Sequence, residues 1–407
     1  MPTRRFLFAS LTVLAAIGCG RADPRTFGQG GGGGTTPIRG AFGNTEIALG
    51  DAHTCSRSVY GDVTCWGDNT SDQLGTASTA RSTTPIAVTL PARARDIAAG
   101  GSHTCAVLED ERVFCWGRND NAEVASPAGP PVSLPQEVPL PKGQVLALSL
   151  GGAHTCVLVR DMASDSTLYC WGRNAEGQVG TGTPETPIVA PQQIALHVRE
   201  VSAGVDFSVG IFKVFKPDGE SDAKLAGWGT NNSGQLGFQG PPSSTPVPSD
   251  VLGLSHVAAG PGLHACALFD GQGSTPGVYC WGDNIAGELG RGTAGSPAVP
   301  GPVTVLPTGV TAIAPGYRFT CALAGGSVLC WGQNDSGQLG NGTLMPTLMP
   351  ATTPTLTDAR AIAAGIKHAC AVVSDTDIEC WGDNSSGELG DGTTTSRPTP
   401  ASVALPK

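Results

Sequence analysis

The sequence predicts an all-β protein, a seven-bladed β-propeller with four-stranded antiparallel blades. Three observations carry that expectation. With 58 Gly and 32 Pro among 407 residues, the chain has too many turn formers for long helices, while 40% apolar residues still supply a core. The dipeptide Trp-Gly recurs at Trp66, Trp116, Trp171, Trp228, Trp281, Trp331 and Trp381, at spacings of 50, 55, 57, 53, 50 and 50 residues. Finally, the segments before each Trp-Gly are apolar on both faces of an extended strand, as a sheet packed on both sides requires.

The unit around Trp116 shows the pattern. Ile97 to Gly100 forms a first strand, and His103-Thr-Cys105-Ala-Val-Leu108 a second. The chain turns at Glu109 to Glu111 and returns through Val113-Phe-Cys115-Trp-Gly117. His103, Cys105 and Val107 alternate with Ala106 and Leu108, so both faces are apolar. After each Trp-Gly comes a turn-rich stretch, such as Gln333-Asn-Asp-Ser-Gly-Gln-Leu-Gly340-Asn-Gly-Thr343, and then a Pro-containing segment suited to an exposed outer strand. The seven units divide the chain into approximate repeats 45–92, 93–143, 144–196, 197–254, 255–306, 307–357 and 358–407. One unit cannot bury its own faces, so the repeats are expected to stand or fall together.

The His-Thr-Cys-Ala-Val strand, the Trp-Gly-x-Asn turn and the Gly-Gln-Leu-Gly-x-Gly-Thr run resemble the regulator of chromosome condensation repeat. The resemblance covers most of the chain and implies a seven-bladed propeller. It also implies, for the nuclear members, guanine-nucleotide exchange on a small GTPase, and it extends to a secreted bacterial β-lactamase inhibitory protein with a similar propeller. That inhibitor family uses aromatic-rich loops, and only 5% of this chain is aromatic.

The N-terminus reads as a targeting segment. Arg4 and Arg5 precede an apolar stretch from Phe6 to Ile17, too short to span a bilayer, and Ala16-Ile17-Gly18 makes a small-residue cleavage site. Residues 1–18 are therefore expected to be a lipoprotein signal, with Cys19 lipidated. Residues 19–44, including the glycine run Gly30 to Gly34, are expected to be a tether leading to the propeller at 45–407. Loss of residues 1–18 removes two arginines and no acids, taking the net charge from −10 to −12. Such a chain repels polyanions, which disfavours nucleic acid as a partner. The expected location is the cell envelope, outside the cytoplasm, with the lipid as the membrane contact.

Twelve of the thirteen cysteines fall into six pairs: Cys55 with Cys65, Cys105 with Cys115, Cys156 with Cys170, Cys266 with Cys280, Cys321 with Cys330, and Cys370 with Cys380. In the fourth unit Val209 and Gly227 stand at the two positions, so both cysteines are lost together, as a covalent partnership predicts. Around the Gly325-Gly326 turn, counting outward places Cys321 and Cys330 opposite one another at a close, non-hydrogen-bonded site. Two thiols per blade cannot complete a tetrahedral zinc site. Disulfides suit an oxidising compartment, in agreement with the signal segment.

Local catalytic signatures are absent: no Gly-x-Ser-x-Gly elbow, no Gly-Lys-Ser/Thr phosphate loop and no His-Glu-x-x-His motif occurs. His53, His103, His154, His264 and His368 share one repeat position, where Phe207 and Phe319 stand in the other units, which argues for packing. Asp68, Asp283 and Asp383 resemble calcium-loop residues, but Arg118 and Arg173 take the same place elsewhere. The asparagine after each of these positions, from Asn69 to Asn384, reads as a turn former. No metal or cofactor is expected. Function is sought in departures from the repeat: Asn121 to Ala125 in the second unit, and the long hairpin tip in the fourth, where Phe212, Lys213, Phe215 and Lys216 are candidate partner-binding residues. The expectation is a monomeric, non-enzymatic scaffold for an envelope protein.

Overall fold

The computed structural model describes residues 30–31, 45–77, 80–160, 166–215, 221–269 and 277–405. It is an all-β, seven-bladed propeller, with sheets spanning 46–87, 94–137, 144–196, 198–252, 254–302, 310–352 and 361–402, numbered here as blades 1 to 7. Each blade is four consecutive antiparallel strands, running from the axis to the rim. In blade 2 these are Ala94–Ala99, His103–Leu108, Val113–Gly117 and Val132–Glu137. The second and third strands are buried throughout and the fourth is largely exposed, which is why prolines collect there. Among the described residues no helix is long and apolar enough to cross a membrane.

Each apolar core lies between two blades. Trp116 of blade 2 packs with Cys55, Leu74 and Val88 of blade 1, and Trp171 of blade 3 with Val107, Cys115 and Val124 of blade 2. All seven tryptophans are fully buried in this way. The glycine after each tryptophan has a steric cause. Gly332 has φ +102°, and a Cβ there would lie 2.4 Å from the carbonyl oxygen of Arg318; Gly117 has φ +104°, with Ser102 O at 2.6 Å. The third strand leaves its hairpin partner at this point, and only glycine permits both the left-handed turn and the close carbonyl.

Six disulfides join the second and third strands of every blade except the fourth: 55–65, 105–115, 156–170, 266–280, 321–330 and 370–380. The hairpin register is the one counted from the sequence, with Ala324 opposite Ser327 and Cys321 opposite Cys330. In blade 4, Val209 lies opposite Gly227.

Two residues of the expected tether, Gly30 and Gly31, are among the described residues. Gly30–Gly31 forms a short strand parallel to Ile362 and Ala363 of blade 7, making that sheet five-stranded. A side-chain-free backbone can approach an inner strand where other residues would collide.

Candidate functional site

The residues that define the repeat are used up in joining one blade to the next. In blade 1, His53 Nε2 lies 2.9 Å from Thr104 Oγ1 of blade 2. Thr104 Oγ1 donates to the carbonyl of Gln73 in blade 1, and Trp116 Nε1 donates to the same oxygen, both at 2.9 Å. Since the threonine proton goes to the carbonyl, the hydroxyl oxygen must accept from the histidine. That puts a proton on Nε2.

The arrangement repeats. His103 meets Thr155, His154 meets Ser208, and His264 meets Thr320, at 2.8 to 2.9 Å. The last junction closes the ring: His368 of blade 7 meets Thr54 of blade 1 at 3.1 Å, and Glu388 O accepts from both Thr54 and Trp66. Burial drives these imidazoles toward neutrality, holding His53, His154 and His264 down at about 3 and His368 at about 4. Burial, followed by the charge of Arg118, also holds His103 well below its ordinary value.

The two exceptions fit the same rule. Where Phe207 replaces histidine, the facing residue of blade 5 is Ala265; where Phe319 replaces it, the facing residue of blade 7 is Ala369. Histidine and hydroxyl are thus present together or absent together, across a blade boundary. The packing role inferred for these histidines holds, but their bonding was missed. The legible signal was the Ala for Thr exchange one repeat further on.

The asparagine of each turn caps it. Its Oδ1 accepts from the backbone five residues ahead in all seven units, as from Leu74 to Asn69 at 2.9 Å and from Leu389 to Asn384 at 3.0 Å. One turn further, a buried Gln or Glu accepts a backbone N–H two residues back. Gln73, Gln178, Gln235 and Gln338 do so in four blades, and Glu123, Glu288 and Glu388 in three. Glu123 is paired with Arg118 at 2.9 Å. Among the described residues Glu288 and Glu388 make no such ion pair, and burial pushes each up to about 7. No cluster of three or more metal-ligating side chains occurs among the described residues.

What varies between blades is the rim. In blade 4 the hairpin runs out to Phe215 opposite Ser221. Phe215 is 57% exposed and meets His197 edge-on at 4.9 Å. Phe212 turns inward, packing edge-on against Trp228 at 6.1 Å, so it supports the blade instead of projecting from it. Lys213 is half-buried, its backbone N–H bonded to His197 O. Lys216 and Cys19 lie outside the described residues. Ala122 and Ala125 of the irregular second unit both adopt positive φ, keeping the turn despite the lost glycines.

Sequence reasoning did not single out a second exposed group. Ile285 of blade 5 and Leu344, Met345 and Met349 of blade 6 are 58%, 57%, 71% and 48% exposed. The two blades meet here, since Gly292 N–H donates to Leu348 O at 2.9 Å, and a Cβ on Gly287 would strike Leu348 Cδ2.

Fold and bonding together define a disulfide-stapled propeller whose repeat residues bind blade to blade. Models of the regulator of chromosome condensation (RCC1) repeat match residues 60–107, 165–211, 277–323 and 325–372, and also 94–122 and 310–338. The chain belongs to the RCC1 repeat family. It is 27% identical over 160 residues to the probable E3 ubiquitin-protein ligase HERC6 of Homo sapiens, covering 36% of this chain and 14% of that protein. To the ultraviolet-B receptor UVR8 of Arabidopsis thaliana it is 27% identical over 196 residues, 46% of this chain and 40% of the receptor. The match therefore takes in less than half the length of either relative. Among solved structures it is similar to Prp20p from Saccharomyces cerevisiae, with TM-score 0.71 and 20% identity over 84% of this chain and 86% of that one. Human WBSCR16 gives 0.68 and 23% over 81% and 87%. These likenesses show the fold.

Proposed function

We propose that this protein is a binding scaffold of the cell envelope, a monomeric propeller held at a membrane by a lipid on Cys19 and gripping a protein partner through its rim. In this reading it carries no cofactor, performs no catalysis and does not bind nucleic acid. The observation that carries the reading is the exposed group Ile285, Leu344, Met345 and Met349. Exposed apolar side chains on a rigid rim suit a protein partner, and methionine adapts to the shape it meets. Support also comes from relatives: Prp20p is described with binding properties to Gsp1p and histones, and yeast RCC1 (Prp20) with Kap60 bound. The staples and signal segment favour an oxidising compartment, away from a nuclear GTPase.

The test is affinity capture from the envelope fraction of the source cells, comparing the wild type with Met345→Asp/Met349→Asp and with Phe215→Asp. A protein retained by the wild type and lost with the methionine pair is the expected result. Loss with Phe215→Asp alone moves the site to blade 4. Equal retention by all three rejects a rim contact, and stimulated nucleotide release from a small GTPase would replace the scaffold reading. Separately, Cys19→Ala should abolish lipid labelling.

A further inference from the structure

Blade 6 departs from its sister blades at two exposed rim positions, and both departures are to methionine. The first position is marked by a bond that recurs in three blades, in which the turn asparagine donates from Nδ2 to the carbonyl 11 residues further on. Asn174 donates to Glu185 O at 3.1 Å in blade 3, Asn334 to Met345 O at 2.9 Å in blade 6, and Asn384 to Thr395 O at 3.2 Å in blade 7. The second position lies on the outer strand, over a turn glycine of the preceding blade. Gly182, Gly342 and Gly392 donate to Ser244 O, Pro398 O and Thr83 O. The residues that follow those acceptors, Thr245, Thr399 and Thr84, each lay a γ-methyl 3.4 to 4.0 Å from where a Cβ on the glycine would stand. In blade 6 Gly292 donates to Leu348 O, and the next residue is Met349, with Cγ and Sδ each 3.7 Å from the corresponding point.

Glu185 and Thr395 at the first position, and Thr245, Thr399 and Thr84 at the second, are polar and exposed. Neither place calls for an apolar side chain, so packing does not account for the two thioethers. They are also two of only four methionines in 407 residues. The main chain at Met345 is fixed on both sides, its N–H donating to Thr343 Oγ1 at 3.3 Å and its carbonyl accepting from Asn334, so the side chain projects from a rigid turn. The remaining sulfur among the described residues is shut away, since the cysteines of all six disulfides are buried, as are the seven tryptophans.

We infer that Met345 and Met349 are a reversible oxidation site through which a peroxide turns this part of the rim from apolar to polar. In the step, a lone pair on Sδ attacks one oxygen of the peroxide. The S–O bond forms as the O–O bond breaks, and the departing oxygen takes the proton of the first and leaves as water. Sulfur gives up two electrons and the peroxide gains them. A dithiol reductant reverses the change, removing the oxygen as water and becoming a disulfide. The sulfoxide is polar and loses the adaptable apolar contact that a thioether makes. The consequence for a protein partner rests on the scaffold reading, whereas the oxidation itself does not.

The experiment treats the full chain with limiting hydrogen peroxide and reads each methionine separately by peptide mass mapping, Met1 and Met162, which lie outside the described residues, included. Met345 and Met349 should convert at rates within several-fold of those in the urea-unfolded chain, with the tryptophans and disulfides untouched and the denaturation midpoint unchanged. Retention on a hydrophobic-interaction column should fall and then recover on treatment with methionine sulfoxide reductases for both sulfoxide epimers and a dithiol. Met345→Leu/Met349→Leu should lose that response to peroxide. Affinity capture from the envelope fraction should yield several-fold less protein with the oxidised form than with the reduced one. Conversion far slower than in the unfolded chain, retention that oxidation leaves unchanged, or equal capture of a protein by the two forms would each overturn the inference. If the reduced form captures nothing while conversion and retention behave as described, the scaffold reading falls and the oxidation site stands.

Discussion

His103 Nε2 donates to Thr155 Oγ1 across the boundary between blades 2 and 3, at 2.9 Å, and neither side chain is exposed to solvent. Thr155 in turn donates to Glu123 O, which also receives Trp171 Nε1. The imidazole Nδ1 has no hydrogen-bond partner, so the Nε2 bond is the one that satisfies the ring. Thr155→Ala should therefore destabilise the propeller by about 1–3 kcal/mol, the usual cost of stranding a buried donor. His103→Phe/Thr155→Ala should recover much of that loss, because it recreates the Phe207 and Ala265 junction. A double-mutant cycle in urea is the measurement, and strictly additive losses would show that the pair is not coupled.

Glu288 and Glu388 should make stability depend on pH. Burial raises each carboxyl to about 7 in the folded protein, from an ordinary value of 4.5. A raised folded-state value means that the neutral form is favoured: the associated stability is fully present below 4.5 and is lost as pH rises through 7. Gln73, Gln178, Gln235 and Gln338 fill the same position without titrating. Glu288→Gln and Glu388→Gln should then leave stability near pH 4.5 little changed and raise it at pH 8, on the order of 2 kcal/mol each. Chemical denaturation at the two pH values checks this, and an equal effect at both would refute it.

The fold was legible because its determinants are periodic and local. The Trp-Gly spacing marks the blades, the joint replacement by Val209 and Gly227 marks the cysteine partnership, and the turn asparagines cap as read. The partners of the histidines were not legible in the same way. His103 and Thr155 lie in different repeats, and the link shows only when one unit is compared with the next. The inward packing of Phe212 was not legible either, because it depends on the small Gly210 and Ala226 beside it, a packing relation with no periodic signal. Exposure of Met345 and Met349, before and on the outer strand of blade 6, was likewise invisible, since apolar residues at the rim read the same whether covered or bare.

The disulfides should stabilise the blades and yet resist attack. All twelve sulfur-bearing residues are essentially unexposed, and the bridges enclose short hairpins with separations of 9 to 14 residues. Loop-closure entropy for a loop of about 10 residues gives roughly 3 kcal/mol per bridge. Cys105→Val/Cys115→Gly, which copies the blade 4 pair, should lower stability by no more than that. In native buffer a thiol reductant should release few free thiols over the time in which it releases all of them in denaturant. Rapid native-state reduction, followed by thiol titration, would show instead that the blades open locally.

Two glycines in one blade should respond very differently to alanine. Gly325, at the hairpin tip, has φ +56° and no atom within 4 Å of the place a Cβ would take, so Gly325→Ala carries only the left-handed backbone penalty, about 1 kcal/mol. Gly332 has φ +102°, and its Cβ would lie 2.4 Å from Arg318 O and 2.8 Å from Phe319 Cα. Both obstacles are backbone atoms, held by the hydrogen bond from Gln333 N–H to Arg318 O at 2.8 Å, so they cannot rotate aside as a side chain would. Relief requires the third strand to separate from the second beside Trp331, whose indole donates to Glu288 O of blade 5. Gly332→Ala should accordingly cost several times more than Gly325→Ala, exceeding about 3 kcal/mol, and should loosen the junction of blades 5 and 6. Denaturation midpoints of the two variants and exchange rates at Thr320 and Trp331 decide the matter, and equal midpoints would show that the Trp-Gly turn is not sterically determined.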